Sequence, residues 1–235
     1  MIKVTPKQVQ KFCYSALQPA AVITALTLLV GLYYSLIASP IDYQQGSMVR
    51  VMYVHVPAAW LAMFAYLLIA SLSIGYIVWR NPLCYLIARE VAPLGAAFTF
   101  ICLITGSIWG KPTWGTWWVW DARLTSVLVL FFLYLGFIAM RGAFLSDEKE
   151  AKSASILAII GAINLPIIKY SVDWWNTLHQ PAGVFRIDGS KVHESMLKPL
   201  IFMGIAFLAL FLTVLCVRVL NALIQKELKR LNSKR

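Results

Sequence analysis

Six apolar stretches, each long enough to cross a hydrocarbon core, constrain this chain more than any other feature. A core of about 30 Å needs roughly 20 mostly apolar residues per helical span. The stretches near 18–38, 57–79, 86–108, 122–141, 153–172 and 197–220 meet that need. With 60% hydrophobic and 13% charged residues in 235 positions, the chain is too apolar for a soluble domain of this size. The fold class expected is an all-α integral membrane protein of six transmembrane helices, with residues 1–235 forming a single polytopic membrane domain. The first stretch reads as a retained span, because its apolar run is long and no small-residue cleavage site follows it. The fifth is interrupted by Asn164 and Pro166 just before Lys169, which predicts a kink or early exit.

Six crossings bring both chain ends to one side, and the cations are divided unequally between the sides. Lys3, Lys7, Lys11, Arg80, Arg89, Arg141, Lys149, Lys152, Arg218, Lys226, Lys229, Arg230, Lys234 and Arg235 fall on the side of the termini. Arg50, Lys111, Arg123, Lys169, Arg186, Lys191 and Lys198 fall on the other. Fourteen against seven predicts cytoplasmic termini by the positive-inside rule. The net charge of +11 is thereby read as topology and contact with the lipid bilayer, and no nucleic-acid partner is expected. The basic tail LIQKELKRLNSKR is expected to touch anionic lipid. Cys13 and Cys84 fall on the cytoplasmic side, Cys102 and Cys216 inside spans, and no pair has CxxC spacing. A thiol-disulfide oxidoreductase, a structural zinc site and a covalently attached c-type haem are disfavoured.

The chemistry is concentrated in the three outer loops expected at 39–56, 109–121 and 173–196. The middle one carries Trp109, Trp114, Trp117, Trp118 and Trp120 and ends at Asp121. An interfacial belt needs one or two aromatic residues per helix end. Five, with Gly110, Pro112 and Gly115 to shape the backbone, suggest a platform for a flat conjugated ligand, since indole faces stack and each ring can donate one N–H. Haem fits that description. Imidazole is a suitable axial ligand for its iron, and His55 and His179 both flank the platform on the same face. His193, among Lys191, Glu194 and Ser195, reads as solvated. Met48 and Met52 could donate sulfur but more often fill apolar gaps. Arg50, Arg123 and Lys111 are candidates for the haem propionates. The alternatives are a salt bridge of Arg50 to Asp42 and a pair of Arg123 with Asp121. Asp121 is also a candidate N-cap for the helix beginning ARLTS, and Gln45 is a further polar contact.

The run WGKPTWGTWWVWDARLTS, Trp109 to Ser126, closely resembles the tryptophan-rich WWD segment of haem-handling proteins in cytochrome c biogenesis. Size, six spans and flanking histidines together resemble the CcmC family of the bacterial Ccm maturation system, across essentially the whole chain. The resemblance implies that His55 and His179 are axial ligands of a non-covalent haem b. It also implies that Asp42, Gln45 and Arg50 are polar positions of the first outer loop, and that Trp114, Trp118 and Asp121 lie in the WWD core. It implies an inner-membrane protein, not an enzyme, that presents haem on the periplasmic side to the haem chaperone CcmE, in a complex with CcmA, CcmB and CcmD. Two other classes remain open. A haem exporter would show a path of intramembrane charge, yet the spans carry little beyond Arg89, Glu90 and Asn164. A membrane haem b electron carrier would bury its histidines at bilayer depth.

Overall fold

The computed structural model describes residues 5–179, 183–184, 189–190 and 192–233. Lys3, Arg186, Lys191, Lys234 and Arg235 of the charge pattern, and Pro181 beside His179, lie outside the described residues. The regular structure among the described residues is all helical, with one isolated bridge between Asp42 and Gly46. Helix α1 runs Pro6–Tyr33 and continues as a π-helical turn over Tyr34–Ala38. A 3-10 turn, Ser47–Val51, leads into α2, Met52–Trp79. Then come α3 (Pro82–Trp114), α4 (Ala122–Ala139), α5 (Asp147–Gly161), α6 (Asn164–Trp174) and α7 (Glu194–Asn232). Six helical units are long and apolar enough to cross a membrane, with α5 and α6 forming the fifth together.

Local chemistry explains the helix starts. Thr5 and Gln8 form a capping box ahead of α1, and Asn81 caps α3 with Pro82 at its first position. Ser146 caps α5, where Asp147, Glu148 and Glu150 complement the positive end of the helix. Only Arg80 and Asn81 separate α2 from α3, with Arg80 in the left-handed region at φ 50°. That turn makes α2 and α3 antiparallel neighbours with the most extensive interface in the molecule, and α1 packs chiefly on α7.

Lipid gives apolar side chains no reason to leave it, so helix association depends on close packing and small residues. Ala58, Ala62, Ala65, Ala88, Ala92, Ala96, Ala154 and Ala158 are all buried in the central cluster. Two tyrosines pass through this thin core. Tyr134 donates from its hydroxyl to the Ala62 carbonyl at 2.6 Å, and a Cβ on Gly95 would collide with its ring. Tyr66 lies edge-on to Tyr134, and a Cβ on Gly161 would collide with the Tyr66 hydroxyl. Large exposed apolar residues such as Leu26, Leu29 and Ile37 lie on α1 and its π-helical turn, as lipid-facing residues should.

The fifth crossing breaks at Ala162–Ile163 and restarts, so it does not exit early. Asn164 opens α6 and donates from Nδ2 to the Ser126 carbonyl of α4 at 2.8 Å. Pro166 falls in the first turn of α6, where a missing N–H is tolerated. The helices also overrun the expected loops. His55 and Pro57 lie inside α2, and Trp109 to Trp114 belong to the last turns of α3, because intrahelical bonding continues past the apolar windows. The middle outer loop is therefore only 115–121, and the last one lies between Trp174 and Glu194.

Replacing Gly95 by Ala is expected to cost about 1–3 kcal/mol, the usual range for overpacking a filled interior. Thermal unfolding in detergent checks this. The double variant Gly95→Ala, Tyr134→Leu should recover part of the loss, and an unchanged midpoint for Gly95→Ala would contradict the packing described.

Candidate functional site

Because α2 and α3 are antiparallel, the first turns of α2 lie against the last turns of α3. His55 sits in that seam, buried, with Nδ1 3.0 Å from the Cys102 carbonyl and 3.1 Å from the Thr105 hydroxyl. A carbonyl can only accept, and the Thr105 hydroxyl already donates to the Ile101 carbonyl at 2.6 Å. Nδ1 therefore carries the proton, and in the neutral ring Nε2 carries the lone pair; the tautomer follows from these partners. Gly106 is what lets the ring lie there: a Cβ at this position would stand 2.9 Å from His55 Cε1.

The Trp109 indole meets the His55 ring edge-on, with centroids 5.7 Å apart. Its N–H donates to Gln45 Oε1 at 2.6 Å. Gln45 is held in turn by the loop before α2, where Asp42 Oδ1 accepts from the amides of Gln44 at 2.9 Å and Gln45 at 2.8 Å. Asp42 and Gly46 also exchange two backbone hydrogen bonds, at 3.2 and 2.9 Å, across a glycine at φ 59°. A relay thus runs from the Asp42 turn through Gln45 to the indole beside His55.

His179 reaches the same place from the far end of the sequence. Its ring centroid is 6.2 Å from that of His55, with the planes inclined by 31°, and 5.8 Å from Trp114. Its backbone N–H donates to the Thr177 hydroxyl at 3.1 Å. Two imidazoles sharing one metal ion need about 2 Å for each metal–nitrogen bond plus a ring radius on each side, about 6 Å in all. The observed centroid separation of 6.2 Å is of that size.

The five tryptophans differ in their surroundings. Trp109 and Trp114, both helical, border the histidines. Trp117 and Trp120 are exposed, and Trp118 packs edge-on against Trp120 with its own N–H buried and without a partner among the described residues. The Ser107 hydroxyl donates to the Trp117 carbonyl at 2.7 Å and folds this loop back on α3. Asp121 is the N-cap of α4, Oδ1 accepting from Leu124 N at 2.8 Å, while Oδ2 is buried without a partner.

The cations divide in the same way. Arg123 donates from Nε to the Ser171 hydroxyl at 3.1 Å and from Nη2 to the Lys169 carbonyl at 3.2 Å, so it ties α4 to α6 and forms no ion pair with Asp121. Lys111 donates to the Gly115 carbonyl and lies over Trp117. Arg50 forms no salt bridge with Asp42 among the described residues, and its buried Nε has no partner there. His193 is more than solvated: it caps α7, its Nδ1 accepting from Ser195 N. Met52 packs in a cluster with Tyr53, Leu200 and Met203. Cys102, Thr105 and Gly106, which orient His55, had no signal in the sequence, being an ordinary span segment 47 or more residues away.

The family described as CcmC, heme exporter protein C, matches residues 2–234. Proteins named heme exporter protein C are 51% identical in Bradyrhizobium diazoefficiens, over 90% of this chain and 80% of the relative, and 44% identical in Haemophilus influenzae, over 96% and 92%. A putative cytochrome c biosynthesis ccmC-like mitochondrial protein of Marchantia polymorpha is 49% identical over 76% of each chain.

Nitrogen-15 NMR of histidine-labelled protein free of ligand should find His55 protonated on Nδ1 alone. Gly106→Val should abolish that signature by displacing the ring. Protonation on Nε2 alone would contradict the hydrogen-bond assignment.

Proposed function

We propose that this chain, which belongs to the CcmC family of heme exporter proteins, holds haem between His55 and His179 and hands it on in cytochrome c maturation. One observation carries the reading: two imidazoles from opposite ends of the sequence stand 6.2 Å apart, bordered by Trp109 and Trp114. Haem is the cargo here, a non-covalent haem b, and its iron takes two nitrogen ligands. His55 supplies Nε2 in a fixed direction because Nδ1 is bonded to Cys102, the usual way a protein orients a ligating imidazole. Trp109 and Trp114 offer ring faces to the porphyrin. The unpartnered Nε of Arg50 suits a propionate, and Asp42 and Gln45 set the loop that carries it.

The receiver in this reading is the periplasmic haem chaperone CcmE, and CcmA, CcmB and CcmD complete the membrane complex. The site then faces the periplasm from a bacterial inner membrane, with both termini in the cytoplasm, in keeping with the fourteen-to-seven cation asymmetry. Arg123 and Lys111 act as structural cations, given their carbonyl partners. The WWD loop beyond Gly115, with Trp117 and Trp120 exposed, is the surface offered to the chaperone.

Alanine at either His55 or His179 should weaken haem retention in detergent-purified protein and move its spectrum from six-coordinate towards five-coordinate. Glycine at either position should allow added imidazole to restore part of the binding. His193→Ala should behave like the parent. A normal low-spin spectrum in the His55→Ala, His179→Ala double variant would refute the ligand assignment. Replacing Asp42 or Arg50 should leave bound haem largely intact and lower transfer to the chaperone; complete loss of haem would move these residues into the primary site.

Orientation is tested separately. A periplasm-active reporter fused at residue 115 should be active, and fusions at either terminus should not. The opposite pattern would reverse the membrane sidedness.

A further inference from the structure

On the face opposite the histidine pair, the ends of α2, α3, α5 and α7 and the α4–α5 turn enclose a cleft of about 790 Å³. It runs from Lys229, exposed near the end of α7, down to Arg218, eleven residues earlier and about 16 Å along the helix axis. At its inner end Arg218 pairs with the buried carboxylate of Glu90 at 2.9 Å, and Arg89 reaches the same carboxylate at 3.3 Å.

Six cationic side chains and four carboxylates line this space. Three of the four carboxylates already have partners. Glu90 is held by two arginines. Glu150 is buried and accepts from the Tyr85 hydroxyl at 2.8 Å and the Gly142 amide at 2.7 Å. Glu148 pairs with Arg80, and Asp147 occupies the first turn of α5. Arg141, Lys226 and Lys229 have no ion pair among the described residues. The N-terminal turns of α3 and α5 also border the cleft and add the positive ends of two helix dipoles. Leu86 and Ala222 supply apolar wall beside the charges. The cleft is thus a cationic mouth over a partly apolar slot, at the end of a bundle of membrane-crossing helices.

We propose that this cleft seats the headgroup of an anionic phospholipid, with its phosphate against Arg141, Lys226 and Lys229 and its glycerol end along Leu86 and Ala222. Basic pockets between helices on the side richer in lysine and arginine recognise such headgroups, at about 1 kcal/mol, or about fivefold, per cation. The bound lipid clamps the α4–α5 turn to the end of α7, both of which line the cleft.

Native mass spectrometry of delipidated full-length protein, titrated with phosphatidylglycerol or phosphatidylcholine, tests this. One phosphatidylglycerol should be retained per chain, at least tenfold more tightly than phosphatidylcholine. The triple variant Arg141→Gln, Lys226→Gln, Lys229→Gln should lose that preference. The control Lys11→Gln, Lys149→Gln, Lys152→Gln, equal in charge and on the same face, should keep it. Equal loss in both variants would mean diffuse surface attraction and overturn the site. Displacement of the lipid by millimolar inorganic phosphate would assign the cleft to a free anion instead. Haem retained by the His55→Ala, His179→Ala variant and lost on adding the triple substitution would also overturn it. The parent's haem spectrum should be unchanged in the triple variant, so this test and that of the histidine pair fail independently.

Discussion

A polypeptide inside a bilayer has no water to satisfy its backbone, so a crossing in this all-helical chain must be helical except where neighbouring helices satisfy a break, as Ser126 does at Asn164. The site described here follows from that constraint. A two-residue turn makes α2 and α3 antiparallel, and their far ends then meet at the opposite end of the bundle. A histidine in the first turns of one helix can bond a carbonyl of the other only in such a seam. The same carbonyl is engaged in a helix, and its second lone pair is what His55 uses. Gly106 supplies the missing volume, and Gln45 secures the neighbouring indole.

The parts of this arrangement that were legible in the sequence are those with a local signature. Apolar length located the six crossings, and Asn164 with Pro166 marked the interrupted one. The tryptophan-rich run identified the family, and Asp121 read correctly as a cap from the polar residue preceding ARLTS. What escaped was long-range or composition-blind. Trp109 to Trp114 are helical although Gly110, Lys111, Pro112 and Thr113 look like loop, because α3 simply continues beyond the apolar window. The second span was expected to begin at 57, and α2 instead begins at Met52, with Pro57 inside it removing one hydrogen bond. Arg123 was weighed as a propionate contact or an Asp121 partner, and its bonds to Ser171 and Lys169 cross 48 and 46 residues. No periodicity encodes such pairs.

The two ends of the bundle use charge differently. At the end that carries the histidine pair the polar groups are few and specific, and Arg50 Nε, Trp118 Nε1 and Asp121 Oδ2 are buried without partners among the described residues. At the other end the buried carboxylates Glu90 and Glu150 connect α3, α5, α7 and the α4–α5 turn. Burying an ionised group without such partners would cost several kcal/mol. The end that buries these carboxylates is therefore built for permanence, and the histidine end keeps hydrogen-bonding capacity in reserve.

The two histidines differ in what holds them. His55 lies on a helix, with its ring bonded on one edge and packed against Trp109 and Gly106. His179 lies five residues beyond the end of α6, where the Thr177 hydroxyl and the Trp114 ring adjoin it and no helical ladder does. Fixing one residue of backbone costs about 1–2 kcal/mol of conformational entropy. For His55 that entropy was lost when the bundle folded. His55 is thus presented from a frame set by folding itself, whereas His179 is presented from a connection between two helices.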